Sequence, residues 1–175
     1  MPELSGKIWV NRFPTQTSIN ALMPPFRECV QKFVDALKAG KVKVSIADTL
    51  RPPERAYLMH FSFEIAMGRQ NPETVPRKDG VDIIWVHDTH EASVAAAREM
   101  VSAYKIRKEP SLTSNHIKGL AIDMTLNDFA ARDVRNADGT FVKIASFDDL
   151  ISVGETYNVF HKVLNDLPHW SFDGH

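Results

Sequence analysis

Apolar and polar positions along this chain follow two periods. Phe26, Val30, Phe33, Val34 and Leu37 fall at helical spacing and Gly40 supplies a stop, so a first helix is predicted there. Val42, Val44 and Ile46 alternate with Lys41, Lys43 and Ser45, the period of a half-buried strand. Pro52 and Pro53 suit the opening of a second helix that runs to about Met67 and ends at Gly68. Residues 70–80, with Pro72, Pro76 and Gly80, predict a mobile loop, and Val81 to Val86 a short apolar strand. Glu91 to Tyr104 is alanine-rich with few breakers and predicts a helix. Lys118 to Met124 predicts a core strand, and Asn136-Ala137-Asp138-Gly139 a turn before a strand at Thr140–Ile144. Asp148–Ile151 is a short apolar-edged stretch, Glu155 to Leu164 predicts a helix starting after Gly154, and Pro168 to Phe172 a last strand. Helices and strands mix without regular β-α-β alternation, so the expected class is α+β with a central antiparallel sheet.

Length and composition narrow the picture. One small domain accounts for all 175 residues. Residues 1–25, rich in turn formers and carrying Pro14, Pro24 and Pro25, are expected as an extended segment that wraps it. Residues 70–112, with the helix at 91–104, are insertion-like. A net charge of −1 gives no electrostatic case for nucleic acid or an anionic membrane as partner. No apolar run approaches the length of a membrane span, so no membrane insertion is expected. Met1-Pro2-Glu3-Leu4-Ser5-Gly6-Lys7 lacks the charged-then-apolar layout of a signal peptide. The single cysteine, Cys29, cannot form an internal disulfide and lies on the apolar stripe of the first helix, where a buried thiol is expected.

The chemistry is concentrated in two stretches. One is Ser114-Asn115-His116-Ile117-Lys118-Gly119-Leu120-Ala121-Ile122-Asp123; the other is Asp166-Leu167-Pro168-His169-Trp170. They offer two imidazoles and a carboxylate, the donor types of a single metal ion, with His116, Asp123 and His169 as ligands. Three protein ligands leave a position for water, as in a catalytic rather than a structural zinc site. On a strand, Gly119, Ala121 and Asp123 share one face and Leu120, Ile122 and Met124 the other. The second face packs on the core; the first has two tiny residues and then a carboxylate, leaving room above it. Ser114 is placed to orient a ligand or a substrate carbonyl. Asp166 is either the base for the reactive water or the acceptor for an imidazole N–H. Trp170 either walls the pocket or fills the core. Arg51, just before Pro52-Pro53, either binds a substrate carboxylate or oxyanion or is a surface residue. His87 and His90 fit a loop capping the 91–104 helix, with Asp88 or Thr89 near the cap. His60 and His161, on predicted helices, read as structural.

The pattern Ser114-x-His116-x-x-Gly119-x-Ala121-x-Asp123, followed by Asp166-x-x-His169-Trp170, resembles the M15 family of zinc peptidases. That family includes D-alanyl-D-alanine carboxypeptidases, D-Ala-D-Ala dipeptidases and the L-alanyl-D-glutamate endopeptidases of phage endolysins. The resemblance covers about residues 45–69 and 112–172. It implies Zn2+ held by His116, Asp123 and His169, Asp166 as catalytic base, and the hedgehog/D-Ala-D-Ala-peptidase type of fold. Arg51 matches the family's arginine before the zinc motif, and Gly68-Arg69 resembles the Gly-Arg that often follows. Ala56 stands where the family often has glutamine, and the stretch from Arg69 to Ser114 is longer than the family's. Asp-x-Pro-His looks like the endolysin-type enzymes, so cleavage of the L-Ala–D-Glu bond of the peptidoglycan stem is the leading expectation.

The alternatives are D-Ala removal by a carboxypeptidase or dipeptidase, and a non-catalytic zinc module. Asp166 speaks against the module, which needs no base. A non-haem iron oxygenase is a third class, but its usual His-x-Asp pair is absent. A monomer made in the cytoplasm is expected; the lack of a signal-peptide layout and of a wall-binding repeat suits a phage lysin released through a holin, an enzyme delivered by a secretion machine, or an intracellular recycling enzyme.

Overall fold

The computed structural model describes residues 1–175. In chain order its elements are β1 (Glu3–Leu4), α1 (Phe26–Ala39), β2 (Lys43–Asp48), α2 (Pro53–Ala66), β3 (Ile83–Ile84), α3 (His90–Tyr104), β4 (Ala121–Asn127), β5 (Asp133–Arg135), β6 (Phe141–Lys143), α4 (Phe147–Thr156) and β7 (His169–Ser171). The class is α+β. Contacts divide the chain into two compact units, Met1–Thr15 with Arg51–Ile117, and Gln16–Leu50 with Lys118–His175. No helix is long and apolar enough to cross a membrane.

In the first unit α2 and α3 pack around Trp9, Leu58, Phe61, Ile65, Trp85, Ala97 and Met100. Pro53 opens α2, where its missing N–H removes nothing from the helix. Thr89 caps α3 by accepting from the Ala92 N–H at 3.1 Å. Arg55 pins the N-terminal stretch, donating to the carbonyl of Val10 at 2.9 Å and lying 4.8 Å over the ring of Tyr104. Burial, partly offset by the Arg55 charge, pushes the Tyr104 hydroxyl up to about 12. The strand expected over residues 81–86 narrows to Ile83–Ile84, paired in parallel with Glu3–Leu4.

The second unit holds the main sheet, with β4 between β2 and β7 and both pairs antiparallel. One face of β4 buries Ile122, Met124 and Leu126 against Phe26, Val30, Phe33, Val34 and Leu37 of α1. Trp170 packs on Phe33 at a ring separation of 5.3 Å. Each fully buried large side chain of this kind stabilises by about 1.5–3 kcal/mol relative to exposure. Along β4, the partners of β7 are Ala121–Asp123. One more bond follows, from the Met124 N–H to the Pro168 carbonyl at 2.7 Å.

The helix expected at Glu155–Leu164 instead covers Phe147–Thr156. The Asp149 carboxylate accepts from the N–H groups of Ala145 and Ser146 at 2.7 and 2.8 Å, which starts the helix there and holds the Asp149 carboxyl below the ordinary range. Gly154 lies inside this helix rather than before one. A Cβ on it would sit 2.7 Å from Cζ3 of Trp170, so only glycine lets the helix approach the tryptophan. Asn158 takes a left-handed conformation, and Phe160 then exchanges two 2.9 Å hydrogen bonds with Ser171. His161 is accordingly in extended chain, not on a helix.

Candidate metal centre

The strand Ala121–Asn127 carries Asp123 on the face opposite its core residues, as period-2 alternation requires. His169 on β7 is the direct partner of Asp123, so both side chains stand on one face of the sheet. Their groups meet, His169 Nδ1 donating to Asp123 Oδ1 at 3.2 Å.

His116 arrives from a turn. Ser114 shapes it twice: its carbonyl accepts from the Ile117 N–H at 3.0 Å and its hydroxyl accepts from the His116 N–H at 3.3 Å. The chain then reverses at Gly119, whose φ is +67°. A Cβ there would lie 3.2 Å from the Met23 nitrogen, whose N–H donates to the Gly119 carbonyl at 2.9 Å. Gly119 therefore belongs to the turn, and the strand begins at Ala121 rather than at Lys118. Arg51 is fixed beside this segment by its main-chain N–H, which donates to the His116 carbonyl at 3.1 Å.

The outcome is a convergence. Ligand atoms of His116, Asp123 and His169 all lie within 4.8 Å of one another, and the two imidazoles are buried, 3 % and 9 % exposed. Atoms sharing a zinc ion at about 2.0–2.2 Å lie about 3.4 Å apart in a tetrahedron. The Asp123–His169 pair is already at that spacing, and the rest of the cluster needs adjustments of about 1 Å or a little more. Two imidazoles and one carboxylate are a donor set suited to zinc and to other divalent transition metals. These residues fit a metal ion.

Other charges favour a cation here. Asp48, 8 % exposed, is the direct partner of Asp123 across β2, after a bulge at its end, and adds a second carboxylate to the same face. Burial, the largest influence on His169, disfavours its charged form. The hydrogen bond and charge of Asp123, a main-chain contact with His175 and the charge of Asp166 together outweigh it, so the pKa of His169 is raised above 6.5. The imidazole and carboxylate that would face a cation hold a proton between them in its absence.

Asp166 is exposed on the turn before β7, and its carbonyl accepts from the His169 N–H at 2.9 Å. Trp170 does not wall a pocket. It is fully buried, with Phe33, Phe147 and His161 around its ring, because strand alternation turns it to the core when His169 faces the site. Arg69 is engaged after α2, its guanidinium 3.0 Å from Glu109 and 3.4 Å from Glu64. His87 bonds to Ser5 at 2.9 Å, and His60 donates from Nδ1 to the Pro110 carbonyl at 2.8 Å, both structural uses. Asp48 carries no local sequence signal; only strand register brings it to Asp123. No protein-family model and no curated protein sequence matches this chain.

Proposed function

We propose that this chain is a zinc-dependent peptidase that hydrolyses peptide bonds of the peptidoglycan stem, most directly as an L-alanyl-D-glutamate endopeptidase, on a fold of the hedgehog/D-Ala-D-Ala-peptidase type. The observation that carries the reading is the meeting of His116, Asp123 and His169 within 4.8 Å. The substrate class comes from the resemblance of the two motifs to the zinc peptidases of cell-wall metabolism.

Zinc held by these three side chains supplies Lewis acidity and lowers the pKa of water toward neutrality. Asp166 accepts the proton from the attacking water and returns it to the leaving amine. What supports this role is that Asp166 lies one turn before His169, its carbonyl accepting from the His169 N–H, and that its charge is felt at the His169 imidazole. His116, Asp123 and His169 would hold the cation, and Ser114 shapes the turn that carries His116. Arg51, fixed through its main chain to His116, meets the oxyanion that forms on attack. The same arginine supports the second reading, a D-alanyl-D-alanine carboxypeptidase, where it would pair with the free carboxylate of the substrate.

The test is digestion of purified peptidoglycan by the zinc-loaded protein, with a chelated control and mass spectrometry of the fragments. Chelator-sensitive products with a new D-Glu amino terminus are expected. Free D-Ala moves the protein to the carboxypeptidases. No product with either wall or stem peptides rejects the substrate class. Asp166→Ala should keep its zinc and lose turnover by about 10²–10⁴-fold, the usual range for a general acid–base group.

A further inference from the structure

One buried titratable side chain is left unused by this chemistry. His161 is 4 % exposed and lies at the base of the excursion that carries Asp166 and His169. That excursion is closed below it by the Phe160–Ser171 pair and by the Lys162 N–H, which donates to the Gly174 carbonyl at 3.1 Å. His161 reaches across it, with Nε2 3.2 Å from the carbonyl oxygen of Leu167. A carbonyl only accepts, so Nε2 carries the proton. Nδ1, also buried, makes no hydrogen bond with the protein. The ring stands edge-on to Phe147 and Trp170, at centroid separations of 5.3 and 5.2 Å.

These contacts have a specific consequence. Leu167 and Pro168 are the two residues between Asp166 and His169, and their consecutive carbonyls are held from two sides, by His161 Nε2 and by the Met124 N–H at 2.7 Å. The Leu167 side chain is 59 % exposed, so its own burial does little to anchor this segment. The packing between Phe147 and Trp170 asks only for a flat ring, not for a polar one. Burying the polar edge of a histidine there is unfavourable unless that edge is bonded. The one bond it makes is the one to the reactive turn.

We propose that His161 is a positioning residue that locks the Asp166–His169 turn, setting the reach of Asp166 and the direction in which His169 faces a cation. The metal-directed half of this rests on the zinc reading above; the lock itself does not. His161→Phe keeps an aromatic ring and deletes the donor, whereas His161→Gln keeps a donor in place of Nε2. Two measurements follow, amide exchange in the metal-free proteins and zinc affinity by chelator competition. In His161→Phe, the Met124 and His169 amides should exchange about two- to tenfold faster, the equivalent of one neutral hydrogen bond. Zinc should bind weaker by a similar factor, and kcat should fall with KM little changed. His161→Gln should recover at least half of each loss on a logarithmic scale.

Unchanged amide exchange in a folded His161→Phe overturns the lock. Loss of protection in both variants alike also overturns it, because packing rather than the N–H would then be at work. If His161→Phe does not fold, His161→Gln with wild-type exchange and affinity upholds the donor role, and with both lost rejects it. Failure of the wild-type protein to bind zinc sinks the metal reading, while exchange in the metal-free protein still decides the lock.

Discussion

Protons and metal should compete openly at His169. In the metal-free protein its imidazole donates to Asp123, and its pKa is raised above 6.5. The sign for stability follows directly. A raised folded pKa means that the His169–Asp123 pair stabilises the metal-free fold fully below pH 6.5, and that this contribution is lost as pH rises through the folded pKa. Metal affinity runs the opposite way, because a coordinating imidazole must be neutral. Below the folded pKa each zinc ion displaces one proton from His169, so the apparent Kd weakens about tenfold per pH unit, or about 1.36 kcal/mol per unit, from this residue alone. Above it the His169 contribution is flat. Chelator competition from about pH 5.5 to 8.5, the window in which histidine titrates, measures this break. Titration of the His169 ring by NMR in the metal-free protein measures the same pKa independently. The two breaks should coincide above 6.5. A ring that titrates at or below 6.5, or an affinity with no slope where the ring is half protonated, refutes the reasoning.

Gly119→Ala should lower stability by about 1–2 kcal/mol, the cost of a left-handed conformation for a residue with a Cβ, before any crowding against Met23 is added. An unchanged thermal midpoint would mean that the turn before β4 has other solutions. Trp170→Ala should cost about 3–5 kcal/mol in urea unfolding, because the ring is fully buried in the core. A cost near zero would place that ring outside the core. Arg69→Ala should change stability by less than about 1 kcal/mol and leave wall digestion within about twofold of wild type, since its partners are the exposed or half-buried Glu109 and Glu64. A tenfold loss of activity would put its guanidinium on the substrate instead.

Helices α1, α2 and α3 are legible in the sequence because each carries a complete local message: apolar spacing, a stop at Gly40, Pro53 at the opening, Thr89 at a cap. The fourth helix is not, because Gly154 looks like punctuation and is in fact a packing residue whose necessity comes from Trp170, distant in sequence. The Ser146-x-x-Asp149 pattern was the local signal that could have placed its start. Of the short pair β5–β6 only the second strand is legible, for a similar reason, since Asp133–Arg135 has only one buried position, Val134. At the site, His116, Asp123 and His169 could be selected by motif, and the structure brings the three together. Asp48 and His161 could not, because their roles depend on strand register and on a bond across a loop. Trp170 illustrates the limit from the other side: residue type left wall and core equally open, and alternation along β7 decides for the core.

The ladder between β4 and β7 stops for a reason visible in one residue. Met124 donates to the Pro168 carbonyl, but proline has no N–H to return, so that rung is half made. Continuing the register of Asp123 with His169 would set Leu126 against Asp166. A residue with an N–H at position 168 could complete the rung and let the two strands zip onward, laying Asp166 flat along the sheet edge. Pro168 keeps the zipper open, and the turn that carries Asp166 is the slack it leaves.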